Sequence, residues 1–111
     1  MAEVKFIPDT RPSAKNRILV EIDTDILDKL WQKDKEYYLP PDSRKIDLSK
    51  PIVAPIVDFM ANGGISFLDG RHRFAALRDM GIKKVVVMVK PEERGNFWSW
   101  EDTLKKKEIW I

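Results

Sequence analysis

The residues best suited to chemistry in this chain are consecutive, Asp69-Gly70-Arg71-His72-Arg73, between a strand-like and a helix-like stretch. The first turn of a helix carries backbone amides without intrahelical partners and a partial positive charge, and both attract anions. Gly70 allows a phosphate group to approach the backbone closely. Arg71 and Arg73 can neutralise phosphate oxygens in forked hydrogen bonds, and His72 can donate one more. The turn therefore predicts that Gly70, Arg71, His72 and Arg73 bind nucleotide phosphates.

Each residue of the turn also has a structural interpretation. Arg71 and Arg73 can form a solvated helix start, although the positive end of a helix disfavours cations and so favours an anionic partner. His72 can pack or cap as well as contact a ligand. Asp69 can cap the helix through its carboxylate, or hold magnesium through a water molecule, since hard cations prefer oxygen ligands.

Catalysis by this turn would depend on two of its residues. His72 and Arg71 are the candidate catalytic residues, since with Arg73 they could stabilise charge that develops on a transferred phosphoryl group. The sequence offers no clear general base. Binding of a nucleotide without hydrolysis is therefore an equal alternative.

The elements around the turn follow from apolar spacing and from turn residues. Ile65 to Leu68 is expected to be a strand, and the helix is expected to run from about Gly70 to Met80. Gly81 suits the left-handed residue that ends a helix. Val85 to Val89 is apolar throughout, which indicates a strand covered on both faces. Ala61 to Gly64 is a plausible hairpin turn before the first of these strands.

Earlier in the chain, the pattern predicts a turn-rich arm as far as about Asn16 and a strand at Ile18 to Ile22. A helix is expected from Thr24, whose hydroxyl can cap it, to near Asp34. The residues 35–50 are expected to form mainly loop. A bulged or edge strand is predicted around Ile56 to Phe59.

Three further side chains could border the site. Arg78 lies seven residues after Arg71, on nearly the same helical face, and can extend a basic surface along a DNA backbone or remain a solvated arginine. Tyr37 and Tyr38, beside two prolines, could line the mouth of a pocket.

The last residues, 91–111, predict a tryptophan-rich helical extension that begins near Ser99 and has Lys105 to Lys107 at its carboxyl end. Its tryptophans are Trp98, Trp100 and Trp110. They can stack on nucleic acid bases, but such residues more often close a small core or form a protein interface, which is the interpretation favoured here.

Composition limits the possible classes of protein. The chain has 111 residues, which favours one domain, and a net charge of +2, which is too small to indicate nucleic-acid binding by itself. The absence of cysteine excludes disulfides, thiolate metal sites and cysteine nucleophiles, and the single histidine argues against a transition-metal cage. A secretory leader and a membrane-spanning run are not expected, so a cytoplasmic location without membrane contact is predicted.

The segment from Phe67 to Leu77, together with Gly81 and the apolar strand, resembles the core of the ParB/sulfiredoxin superfamily over residues 51–90. The resemblance implies an α/β (α+β) fold in which a small mixed sheet is packed by helices, with one domain over 1–111 and a core at about 18–90. It also implies nucleotide binding, since ParB-type proteins hold CTP phosphates with a Gly-x-x-Arg turn and sulfiredoxins hold ATP and magnesium with Gly-Cys-His-Arg.

This chain departs from both patterns. Gly70, His72 and Arg73 match the sulfiredoxin turn, but Arg71 stands where the catalytic cysteine would be, so sulfinic-acid reduction is excluded. The helix-turn-helix and dimerisation domains of a full partition protein do not fit in 111 residues. The turn looks most like small ParB-like proteins of phages, plasmids and bacterial accessory DNA, and the ATPase or DNase activity of some of them is suggested by the resemblance.

Three functions are therefore open. The first is a ParB-like domain that binds CTP or ATP, with Mg²⁺, and could act as an NTPase. The second is a DNA-binding or nuclease module that uses the same basic turn. The third is a non-enzymatic factor of a phage or plasmid whose tryptophan-rich region contacts a protein partner.

Overall fold

The computed structural model describes residues 4–93 and 107–109. These residues form the strands β1 (Phe6–Ile7), β2 (Ile18–Asp23), β3 (Ile52–Val53), β4 (Ile56–Phe59), β5 (Ile65–Asp69), β6 (Lys84–Val89) and β7 (Lys107–Ile109) and the helices α1 (Thr24–Trp31) and α2 (Arg71–Asp79). Short 3₁₀ turns occur at Pro12–Ala14 and Pro91–Glu93. No helix in this described part is long and apolar enough to cross a membrane.

The main sheet has five strands in the order β5-β4-β6-β2-β7. Its pairs are antiparallel except β4 with β6, which run parallel where Ile56 is opposite Met88. Strands β1 and β3 form a separate parallel pair. The prediction of an α+β fold with a small mixed sheet packed by helices is confirmed.

The sheet is covered on both faces, and β6 shows why its sequence is continuously apolar. Val85, Val87 and Val89 pack with the two helices in one cluster of buried residues, while Val86 and Met88 belong to a second cluster. The first cluster includes Trp31, Phe67 and Phe74, whose rings are 4.8 Å to 5.6 Å apart between centroids. This aromatic group fixes α2, and hence the turn before it, against α1 and β5.

Most predicted elements near the turn are confirmed. The strand at β5, helix α2 and the doubly covered strand β6 lie where the pattern placed them, and Gly81 has a φ of +79° after α2. The hairpin turn between β4 and β5 is closed by a hydrogen bond from the Met60 amide to the Gly64 carbonyl, 2.9 Å from N to O.

Two local predictions are wrong. Asp23, not Thr24, occupies the capping position of α1, and the Thr24 hydroxyl is buried without a hydrogen-bond partner among the described residues. Helix α1 also ends at Trp31 rather than near Asp34.

The predicted C-terminal helix is wrong at Lys107. That residue begins β7, which pairs with β2 and places Lys107 opposite Glu21. Ser99 and the tryptophans Trp98, Trp100 and Trp110 lie outside the described residues, so their predicted roles stay predictions.

Candidate functional site

Gly70 connects β5 to α2 and occupies the capping position of the helix. Its φ is +90°, which side-chain-bearing residues rarely adopt. A Cβ atom there would lie 2.9 Å from Pro55 Cβ and 2.8 Å from the Arg73 Nη2 atom. The close approach predicted at Gly70 is therefore one between parts of the chain itself. Because glycine has no capping side chain, the first-turn amides of α2 receive no cap from it.

The predicted phosphate-binding residues lie together in one depression of about 310 Å³, lined by residues 67–73. His72 is exposed, whereas Arg71 and Arg73 are partly buried. Leu68, also in the lining, is 54% exposed. The structure thus brings together Gly70, Arg71, His72 and Arg73 at the amino end of α2.

Arg73 is held in place by its own side-chain contacts. Its Nε atom donates to the Val53 carbonyl at 3.1 Å, and its Nη2 atom donates to Asp69 Oδ2 at 3.3 Å. A guanidinium group has five N–H donors, so these described contacts use two and leave three for a ligand. Arg73 is therefore both oriented and still able to bind.

Asp69 is an ion-pair partner and not a helix cap, so the capping prediction is wrong. Its Oδ2 atom accepts hydrogen bonds from Arg11 and Arg73. Burial opposes ionisation of Asp69, but the hydrogen bonds from Arg11 and Arg73 outweigh it and hold its pKa below the ordinary value.

The geometry does not fit a magnesium ion held by Asp69. A metal would have to displace two guanidinium groups from its carboxylate, and the described residues contain no cluster of three or more His, Asp or Glu residues that could hold a metal ion. The involvement of Mg²⁺ stays a prediction, in which the ion would accompany nucleotide phosphates.

Arg11, on the N-terminal arm, is a site residue that the sequence reasoning missed. The arm is fixed by the β1–β3 pair, in which Ile52 donates to the Lys5 carbonyl and Ala54 to the Ile7 carbonyl, both at 2.8 Å. Arg11 bridges the carboxylates of Asp9 and Asp69. Its hydrogen bond lowers the pKa of Asp9, and the same bond raises the pKa of Arg11.

The arm adds a second depression, of about 430 Å³, that shares Asp69 and Arg73 with the first. In it, the charges of Asp9 and Asp69 balance those of Arg11 and Arg73. Arg71 is outside this balanced group, so it supplies the excess positive charge of the turn.

Arg71 lies against Tyr37, with its Cζ atom 5.0 Å from the ring centroid. Such a cation–π contact holds the guanidinium while leaving its N–H groups available. The ring of Tyr37 is 49% exposed, and a hydrogen bond to Glu36 raises the pKa of Tyr37. Tyr37 therefore borders the site through Arg71, whereas Tyr38 packs against Trp31, with ring centroids 5.0 Å apart.

Arg78 neither extends the basic surface nor remains solvated, so both predictions for it are wrong. Its side chain is 7% exposed and pairs with Asp28 at 2.8 Å and Asp79 at 2.9 Å. Its Cζ atom also lies 5.8 Å from the ring centroid of Trp31. Arg78 is a structural link between α1 and α2.

No family model, curated protein or solved structure matches the chain. Inference about function therefore depends on the geometry of the turn and on the residues it brings together. Among the described residues that line the 310 Å³ depression, Asp69 is the one carboxylate, and two arginines occupy it. The arrangement is suited to holding an anion and offers no free general base.

Proposed function

We propose that this chain is a nucleotide-phosphate-binding domain of the ParB-like type. The observation that carries the proposal is the single depression at the amino end of α2, which Arg71, His72 and Arg73 line together. Unpaired first-turn amides and guanidinium groups are the donors that phosphate oxygens accept most readily. The turn residues that resemble ParB-type and sulfiredoxin sequences support the same assignment.

Binding, rather than hydrolysis, is the activity that the geometry supports best. Phosphoryl transfer to water needs a group that orients or deprotonates the water. The Asp69 carboxylate accepts hydrogen bonds from Arg11 and Arg73, which removes the nearest candidate base. His72 and Arg71 remain the residues to test if CTP or ATP is hydrolysed.

The DNA-backbone alternative is weaker on the same geometry. A duplex is held by a series of phosphate contacts along a basic surface. Arg78, which would have extended the surface from Arg71, is buried in ion pairs with Asp28 and Asp79. The turn is therefore the right size for one polyphosphate chain.

The test is a calorimetric titration with tripolyphosphate, CTP, ATP and a short DNA duplex, with and without magnesium. The variants are Arg71→Ala and Arg73→Ala. Lys83→Ala is the charge-matched control, because Lys83 is exposed and follows the opposite end of α2. Hydrogen bonds to charged groups contribute about 1.5–3 kcal/mol, so each arginine variant should bind tripolyphosphate roughly 10-fold to 100-fold more weakly. The control should bind like the parent.

Two results would overturn the proposal. One is a parent protein that binds neither tripolyphosphate nor either nucleotide. The other is an Arg73→Ala variant that binds them as tightly as the parent. Binding of the duplex alone, with a steep loss of affinity in added salt, would support the DNA alternative instead.

A further inference from the structure

Asp34 is a buried carboxylate that the site described above does not use. It lies just after α1 and is 4% exposed. Its Oδ1 atom accepts a hydrogen bond from the Tyr37 amide, 3.3 Å away, while its Oδ2 atom is buried without a hydrogen-bond partner among the described residues. A buried acceptor without a donor costs about 1–3 kcal/mol, so such an atom calls for a partner that the free chain does not supply.

Asp34 lines a depression of about 320 Å³ whose rim is apolar and exposed. Met60 is 37% exposed, Tyr37 is 49% exposed, and Ser66 of β5 completes the wall opposite Asp34. Apolar walls with one polar group at the base are typical of sites that bind a flat heterocycle. Lys33 and Lys35 on the same rim disfavour a cationic ligand and favour a neutral ring that carries negative groups elsewhere.

This depression adjoins the phosphate site. Ser66 lines it, and Leu68, two residues later in β5, lines the depression of the turn. Residues two apart in a strand lie on the same face, about 7 Å from each other. The contact between Arg71 and Tyr37 joins the two depressions, since Arg71 lines the first and Tyr37 lines the second.

We propose that the Asp34 depression binds the base of the nucleotide whose phosphates bind at the turn, and that Asp34 selects bases with an exocyclic amino group. This inference rests on the proposed function. The amino group of cytosine or adenine donates to Asp34 Oδ2. Uracil and hypoxanthine present a carbonyl oxygen at that position, which leaves the carboxylate unpaired and facing another acceptor. A site built around such a hydrogen bond rejects the analogue that lacks the donor.

The amino group reaches Oδ2 by outward rotation of the rim side chains. Oδ2 is covered in the free chain, and Tyr37 and Met60 are the exposed side chains beside it. Exposed side chains change rotamer on the picosecond to nanosecond timescale, so the rim does not prevent entry. The ribose then spans the contact between Arg71 and Tyr37.

The test compares the affinities of CTP with UTP and of ATP with ITP, using tripolyphosphate as the reference without a base. The variant is Asp34→Asn, which keeps the side-chain shape, and Asp25→Asn, at an exposed position of α1, is the charge-matched control. The parent should prefer each amino-bearing nucleotide by about 10-fold or more. Asp34→Asn should reduce that ratio at least about 10-fold, because its amide can donate to a carbonyl oxygen. Its affinity for tripolyphosphate should stay that of the parent.

A second variant tests the depression without changing Asp34. Ser66→Leu should fill part of the space and bring the affinities of all four nucleotides close to that of tripolyphosphate. If the parent binds tripolyphosphate but shows equal affinity for CTP and UTP, the base site is wrong while the phosphate site stands. If the parent binds no polyphosphate at all, the proposed function fails and the base site fails with it.

Discussion

Asp69 and Arg73 face each other across the first turn of α2, with Arg73 Nη2 at 3.3 Å from Asp69 Oδ2. The same carboxylate oxygen also accepts a hydrogen bond from Arg11. A phosphate that binds Arg73 therefore does so beside a negative charge that already holds the guanidinium. The carboxylate orients the arginine and, at the same time, weakens the anion site.

The first prediction is that Asp69→Asn tightens the binding of tripolyphosphate in the absence of magnesium. Two unit charges 4 Å apart interact by about 1 kcal/mol in water, which corresponds to roughly a five-fold gain in affinity. Calorimetric titration measures the gain, and Asp25→Asn is the matched control. A weaker affinity of Asp69→Asn in metal-free buffer would contradict the electrostatic role. A loss seen only with magnesium would instead indicate that Asp69 acts through the metal.

The second prediction separates the two reasons for glycine at position 70. Gly70 and Gly81 both have positive φ, +90° and +79°, but a Cβ at Gly81 would meet no atom of the described residues within 4 Å. Gly81→Ala should therefore lower the free energy of unfolding by about 1–2 kcal/mol, the cost of a left-handed residue. Gly70→Ala should lose about 1–3 kcal/mol more, because its Cβ crowds Pro55 and Arg73.

Urea denaturation of the two alanine variants measures this difference. Equal losses for both variants would mean that Pro55 and Arg73 move aside without cost. In that case, the backbone conformation alone would explain the glycine at position 70.

The third prediction concerns the buried pairing of Arg78. Replacing it with methionine keeps much of the side-chain volume and leaves Asp28 and Asp79 without this partner. Removal of one member of a buried ion pair costs about 3–5 kcal/mol, so Arg78→Met should lower the free energy of unfolding by that amount. Lys83→Met, at an exposed position, should change it by less than about 0.5 kcal/mol. Similar urea midpoints for the two variants would contradict the structural role of Arg78.

The fourth prediction is a loss of stability in acid. Burial opposes ionisation of Asp79, but hydrogen bonds from Arg44 and Arg78 outweigh it, and the pKa of Asp79 lies below its ordinary value of 3.8. The unfolded chain therefore takes up a proton at a higher pH than the folded chain does. The stabilisation is complete above pH 3.8 and is lost as the pH falls through the folded-state pKa.

Unfolding in urea at neutral pH and at about pH 3 measures this effect. The parent should lose stability on acidification, with Asp9 and Asp69 contributing in the same direction, since their pKa values are also lowered. Asp79→Asn should start less stable and lose less on acidification. An identical loss in the parent and the variant would show that Asp79 does not contribute to it.

The part of the site that the sequence predicted is the part that local chemistry determines. The strand before Asp69, the glycine turn and helix α2 depend on apolar spacing and on a positive φ, which neighbouring residues reveal. The clustering of Arg71, His72 and Arg73 followed from their being consecutive.

What the sequence did not predict comes from contacts between distant residues. Arg11 pairs with Asp69 across 58 positions and Arg78 with Asp28 across 50, and no local spacing encodes either contact. Asp69 was expected to cap α2 because it immediately precedes the expected start of the helix. Gly70 adopts the left-handed conformation and takes the capping position, so the carboxylate turns to Arg11 and Arg73. At Lys107, pairing with β2 outweighed a local charge pattern typical of a helix end.

The bridge from Arg11 to Asp69 also determines when in folding the site can exist. A loop of this length closes slowly compared with the formation of α2, because bringing its ends together costs chain entropy. A linear peptide that copies residues 65–80 would contain every residue of the turn and yet lack the charge balance that the N-terminal arm supplies. Recognition of an anion in this arrangement is therefore a signal that the arm has docked, and a nascent chain would acquire it only after its beginning and its middle have met.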